Sequence, residues 1–237
     1  MTLYKSLTQD HKGPYSKFDF NSHLPHEKRP GKWLRRVKKL EIYASGWHGC
    51  EDGQILNFLN AEIYEVEVHG EVLKGDDKFT SEQMRLVRKC GGWNVRTARL
   101  FACDCAERVL PIFEKKYPDD KRPRQAMEVA RKYANGEATK EELAAAAYAA
   151  SAAASAAAAA AWTAAWDAAS AAASAAASAA AADAAWAAAS AATWDAVAAG
   201  AAASAATWDA VAASAAAWGA EKKWQMERLL QYTRGKV

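Results

Sequence analysis

The sequence predicts an α+β protein: a small sheet-containing domain over residues 1–92, then a predominantly α-helical, Ala-rich domain over residues 93–237. Three observations predict it. Tyr64, Val66 and Val68 alternate with Glu65 and Glu67, the period-two pattern of a strand with one buried and one wet face. Ala98, Phe101, Ala102, Cys105, Ala106 and Val109 recur at three- and four-residue spacings, one stripe of a helix. Finally, 51 of the 77 residues from Ala144 to Ala220 are alanine, with four Asp and no Lys, Arg or Glu. Alanine has the best intrinsic helix propensity. Residues 1–143 hold 26 of the 31 basic and 22 of the 28 acidic side chains, so ordinary mixed chemistry is confined to the first part of the chain.

Residues 1–40 are polar and rich in turn residues, and Pro14, Pro25 and Pro30 forbid long regular elements there. Leu40–Ala44 reads as a first strand and Glu62–Val68 as the clearest one. Gly70 ends or bulges it, and Lys74-Gly75-Asp76-Asp77 is a turn. Ser81–Lys89 fits either a helix, through a capping box of Thr80 with Gln83, or a strand, through alternation of Met84 and Leu86 with Arg85; the strand completes a small sheet. Gly91-Gly92 separates this part from helical text. A helix runs over Asn94–Leu110, is kinked or restarted at Pro111, and stops at Tyr117-Pro118-Asp119-Asp120. Pro123 opens a second helix that buries Ala126, Met127, Ala130 and Tyr133 and ends at Asn135-Gly136. Thr139 with Glu142 makes a capping box for a third, which has no proline left to stop it.

The alanine tract keeps a heptad frame. Thr193–Ala199 is repeated at Thr207–Ala213, two heptads on. With Trp166 at position a, Trp194, Trp208 and Leu229 also fall on a, and Tyr148, Trp162, Val197, Val211, Trp218 and Tyr232 fall on d. Trp186 and Trp224 depart from the frame, and Asp183 falls on d, which counts against an unbroken seam. Duplication of a short coding segment would leave such a period, and so would left-handed helix packing. An exposed helix of this kind would show tryptophan and methyl groups to water with almost no charge to keep it dissolved. The packed alternatives are a folded-back bundle in a monomer, with Gly200 the one evident interior hinge, and a homodimer.

Composition excludes several classes. Ser and Asp interrupt a weakly apolar tract, which argues against a membrane span. Cys50, Cys90, Cys103 and Cys105 are too few for a disulfide scaffold, and no strongly apolar run opens the chain, so a cytoplasmic location is expected. No spacing matches a zinc framework, and no Gly-rich phosphate loop, paired-carboxylate signature or nucleophile elbow is visible. No metal and no cofactor are expected.

Two stretches carry candidate chemistry. Lys28–Lys39 contains Lys28, Arg29, Lys32, Arg35, Arg36, Lys38 and Lys39 around Trp33, with no acid. Such a segment can meet an acidic protein surface, hold phosphates while stacking a base, or remain a solvated loop. Trp47-His48-Gly49-Cys50-Glu51-Asp52, read as a loop, is the densest group of reactive types, with His48 and Cys50 as a base and nucleophile pair.

The run Val95–Ala150, above all Ala98-Arg99-Leu100-Phe101-Ala102-Cys103-Asp104-Cys105-Ala106-Glu107-Arg108-Val109-Leu110 and Arg122-Pro123-Arg124-Gln125-Ala126, resembles the helical domain of a family of bacterial immunity proteins, where an Ala-rich stretch likewise follows two helices and a Gly-Glu turn, here Gly136-Glu137. The present tract is longer, richer in Trp and nearly uncharged. Tyr4-Lys5, Gly46-Trp47-His48-Gly49-Cys50-Glu51, Tyr64-Glu65-Val66-Glu67 and Gly70-Glu71 are similar to a domain of unknown function in phage and prophage proteins. In layout alone this half also resembles small ADP-ribosyltransferase-like folds, without a nicotinamide-site triad.

These resemblances imply a non-enzymatic inhibitor of immunity or phage anti-defence type, an anti-CRISPR protein being one form, that occludes a bacterial toxin or defence-system protein. The alternatives are an ADP-ribosyltransferase-like enzyme modifying a defence protein and a nucleic-acid-binding protein. The expected partner contacts are Lys28, Arg29, Lys32, Trp33, Arg35, Arg36, Lys38 and Lys39.

Overall fold

A computed structural model describes residues 2–159 and 210–237. It is a mixed α+β protein: among the described residues, strands come from residues 3–89 and α-helices from residues 95–159 and 210–233. The chain divides into two compact units, residues 1–94 with 229–237, and residues 95–228.

In the first unit β1 (Leu3–Leu7), β2 (Trp47–Glu51), β3 (Glu62–Lys74) and β4 (Phe79–Lys89) form a closed antiparallel barrel in the order β1-β2-β4-β3. The β3–β4 hairpin is its longest pairing, from Tyr64↔Lys89 to Lys74↔Phe79. Alternation in β3 holds at Tyr64 and Val66, which are buried, and at Glu67, which is exposed, whereas Glu65 and Val68 are both half-buried. Gly70 lies in the left-handed region (φ 83°) within a register shift between His69 and Val72, so it bulges the strand rather than ending it. Its Cβ would also lie 2.1 Å from Glu82 Oε2. The turn at residues 74–77 closes with Gly75 N donating to Lys78 O at 2.8 Å.

Two expectations are corrected here. Leu40–Ala44 is not a strand: Ser45 N and Ala44 N both donate to the Glu41 carbonyl, which makes a tight turn. Residues 47–51 are not a loop but β2, paired to β1 through Tyr4↔Cys50 and to β4 through His48↔Thr80. The buried cluster of this unit joins Leu7, Phe20, Leu34, Tyr64, Val66, Phe79, Met84 and Leu86. Glu62, only 8% exposed, is held among them by Tyr64 Oη (2.8 Å), His11 Nδ1 (2.7 Å) and the Lys89 ammonium. Burial pushes its carboxyl up, but these three donors outweigh it and hold the group below the usual carboxylate range.

In the second unit α1 (Val95–Lys116) continues through Pro111, whose missing N–H leaves one carbonyl of the ladder without its donor. Its buried set includes Phe101, Cys103, Cys105, Val109, Leu110 and Phe113, so it is covered over more of its circumference than a single stripe. Helix α2 (Arg122–Ala134) has Pro123 in its first turn. Gly136 follows at φ 79° and caps its end. The capping box of α3 (Lys140–Ala159) is present, with Thr139 N donating to Glu142 (2.7 Å) and Glu142 N to Thr139 Oγ1 (3.1 Å). Helix α3 packs on α2 and turns Leu143, Ala147, Ala150, Ala153 and Ala154 inward.

The final helix, α4 (Ala210–Thr233), belongs to the second unit up to Arg228 and to the first from Leu229. Of the large side chains on the heptad frame, Leu229 and Tyr232 are buried, whereas Tyr148 is 80% and Trp218 39% exposed. The small-residue face of α3, not its aromatic position, meets α2, because Ala and Leu let two helix axes approach closely. Trp162, Trp166, Asp183, Trp186, Trp194, Val197, Gly200 and Trp208 lie outside the described residues.

Candidate functional site

The basic segment is a strap laid along β4. Gly31 N donates to Leu86 O (2.8 Å), Leu34 N to Met84 O (2.9 Å) and Val37 N to Glu82 O (2.9 Å). Every third strap residue therefore meets every second strand residue. Gly31 and Leu34 are buried. A Cβ on Gly31 would lie 1.9 Å from the His23 carbonyl oxygen, so the close approach admits no side chain. Trp47 Nε1 of β2 donates to Arg35 O (2.8 Å) and Gln83 Nε2 of β4 to Leu34 O (3.2 Å), adding two side-chain ties to the strap.

This period of three throws the charged residues outward. Lys28, Arg29, Lys32, Trp33, Arg35, Arg36, Lys38 and Lys39 are all exposed, on one continuous segment. Arg36 is paired with Glu82 (2.5 Å), a surface contact that contributes little to stability. Among the described residues the other six cations have no ion-pair partner. Trp33 carries the Arg85 guanidinium 4.6 Å above its ring and meets the His69 ring edge-on at 6.1 Å, so its indole is held in place although 38% exposed.

His48 and Cys50 stand two apart on β2 and both line a cavity of about 530 Å³ in the first unit. The Cys50 thiol is 2% exposed, donates to Tyr4 O (3.8 Å) and is pushed up to about 12 by burial. A thiol kept protonated at neutral pH is a poor nucleophile. Burial, then the charges of Lys5 and Lys78, hold the His48 imidazole below its usual range. The sequence gives no candidate chemistry to Lys5, Lys78 or Tyr43, which share this cavity. The available signal was the alternation Leu3-Tyr4-Lys5-Ser6-Leu7, a short strand read as part of a turn-rich segment.

The four cysteines are free and buried, and no group of three or more His, Cys, Asp or Glu converges as a metal site among the described residues. No helix among them is long and apolar enough to cross a membrane.

The helical unit is tied by buried charge. Asp104 on α1, 8% exposed, accepts from Arg131 Nη2 of α2 and from Arg228 Nε of α4, both at 2.6 Å. Arg131 also reaches Glu107 through Nε (2.9 Å) and Nη2 (2.7 Å), and these carboxylates hold its guanidinium above its ordinary pKa. A second clamp joins Arg108 to Glu221, 5% exposed, at 3.0–3.1 Å, with the Arg108 guanidinium 4.5 Å above the Trp224 ring.

Comparison with known proteins bears on this helical unit. Neither a curated protein nor a solved structure matches the chain. The family described as Imm-5 like putative immunity protein matches residues 93–232, a span that includes Asp104, Arg108, Arg131, Glu221 and Arg228. Because that match takes in more than half of the 237 residues, the chain belongs to the Imm-5 like immunity-protein family.

Proposed function

We propose that this protein is an immunity-type inhibitor that binds a bacterial toxin and blocks it sterically, with the cationic strap as the contact surface. Membership of an immunity-protein family supports binding of a toxin in general. The observation that carries the strap as the contact is its order. Six exposed cations without ion-pair partners among the described residues and one clamped indole stand on a segment held by three backbone hydrogen bonds to β4. Groups fixed before association lose less freedom on binding, and a cluster of like charge speeds encounter with an acidic surface.

The test uses the full chain as bait in bacterial lysate, with the captured protein identified by mass spectrometry and its affinity then measured directly. Arg35→Glu combined with Lys38→Glu should weaken binding of that protein at least tenfold, chiefly through a slower association rate that salt modulates less steeply. Cells expressing the variant should lose protection against the same toxin. Unchanged affinity and unchanged protection would remove the strap from the interface.

A further inference from the structure

We infer that the cavity of the first unit binds a small organic anion with a flat body, an aryl phosphate or aryl carboxylate in chemical class. Its volume, about 530 Å³, lies in the range of sites that enclose a small molecule.

The charge of its wall is one-sided. Lys5, His48 and Lys78 line it, and no Asp or Glu does. Neither lysine has a carboxylate ion-pair partner among the described residues. Lys5 Nζ donates to the His48 carbonyl (2.8 Å), which occupies one of its three protons. Burial, and then the neighbouring Lys78 charge, pull Lys5 down to about 8, so at neutral pH it is still mostly an ammonium ion held against another cation. An anion reached by both amines relieves that repulsion and replaces the water each has lost.

Aromatic side chains on the wall suit a flat body. Phe20, Tyr43, Trp47 and Phe58 line the same space. Tyr43 sits in the left-handed region (φ 72°), a costly conformation for an aromatic residue, in the turn closed by Glu41 and Ser45. Its Oη donates to Asp77 (3.1 Å), and Lys78 Nζ stands 4.3 Å from its ring centre. The strained turn thus places an aromatic face and an amine side by side at the rim.

The inference stands apart from toxin binding, which rests on the strap. Calorimetric titration of the full chain with phenyl phosphate, inorganic phosphate and benzyl alcohol tests it. Phenyl phosphate should bind saturably with one site per chain, inorganic phosphate more weakly, and benzyl alcohol not measurably. Lys5→Met and Lys78→Met should each weaken phenyl phosphate about tenfold or more. Lys5→Met should also raise the melting temperature, which keeps loss of binding distinct from loss of fold. Failure of phenyl phosphate to bind the wild-type chain, affinity that survives both substitutions, or equal affinity for benzyl alcohol would each overturn the assignment.

Discussion

Asp104→Asn tests whether buried charge holds the helical unit together. The substitution keeps volume and shape but removes the charge that two arginines share. Asp104 accepts from Arg131 Nη2 and Arg228 Nε, both at 2.6 Å, with its side chain 7% exposed. Asparagine retains one acceptor oxygen and turns an NH₂ toward the other arginine, setting donor against donor. Breaking a fully buried pair costs roughly 3–5 kcal/mol. Here the side chains of Arg131 and Arg228 are 32% and 29% exposed, so water recovers part of that, and Arg131 keeps Glu107. The expected loss is therefore about 2–3 kcal/mol. Urea denaturation followed by far-ultraviolet circular dichroism should show a lower midpoint at an unchanged slope. A double-mutant cycle with Arg228→Met should return a coupling of about 1–2 kcal/mol. A loss below about 0.5 kcal/mol, within the range of ordinary surface changes, would refute the clamp.

Gly31→Ala forces a Cβ toward the His23 carbonyl oxygen, so the strap must shift and strain the Gly31–Leu86 hydrogen bond; a loss of about 2 kcal/mol in thermal or urea unfolding is expected, and a neutral result would show that the strap yields freely. Burial pushes the Cys103 thiol up to about 12, whereas an unfolded thiol ionises near pH ~8.5, so its contribution is complete below that pH and falls as pH rises toward 12. By pH 10 the loss from Cys103 should be about 2 kcal/mol. Burial pushes Cys50 and Cys90 up in the same way, while Lys5, pulled down to about 8, acts in the opposite sense between about pH 8 and 10.4. Cys103→Ala should flatten the stability profile between pH 8 and 10, and a profile equally steep in that variant would overturn the assignment.

The parts of the fold legible in the sequence are those whose signal is local. The alternation of β3, the Gly70 bulge, the turn at residues 74–77, the Thr139–Glu142 capping box and the Asn135-Gly136 helix end each need only a few neighbouring residues to be recognised. Strands β1 and β2 have five residues each, and their pairing, Leu3↔Glu51 and Tyr4↔Cys50, spans nearly fifty residues of chain, so nothing local declares it. Leu40–Ala44 looks like a strand because Leu40, Ile42 and Ala44 alternate, yet Tyr43 at φ 72° folds it into a turn. Of the large side chains on the heptad frame, Leu229 and Tyr232 are buried, but Tyr148 and Trp218 are exposed; on α3 it is Leu143 and a row of alanines that are buried instead. Among the charged residues, composition flags the run at 28–39, but it cannot reveal that Lys5 and Lys78 converge.

The strap was the least legible element because its period belongs to neither helix nor strand. Gly31, Leu34 and Val37 repeat at three, and only the free edge of β4 beyond Ser81, where β2 stops pairing, gives that spacing a meaning. An uncovered strand edge presents unpaired carbonyls to any passing chain, and proteins commonly cover or charge such edges. Here one segment does both: its backbone satisfies Glu82, Met84 and Leu86, and its side chains surround the edge with positive charge. Edge protection alone explains the hydrogen bonds but not the clamped Trp33, which covers no carbonyl. The two roles separate by experiment. Arg35→Glu leaves the backbone bonds in place and should spare stability while weakening toxin binding, whereas Gly31→Ala keeps every charge and should weaken both. Equal effects of the two substitutions on binding, with equal effects on stability, would reduce the strap to a cover.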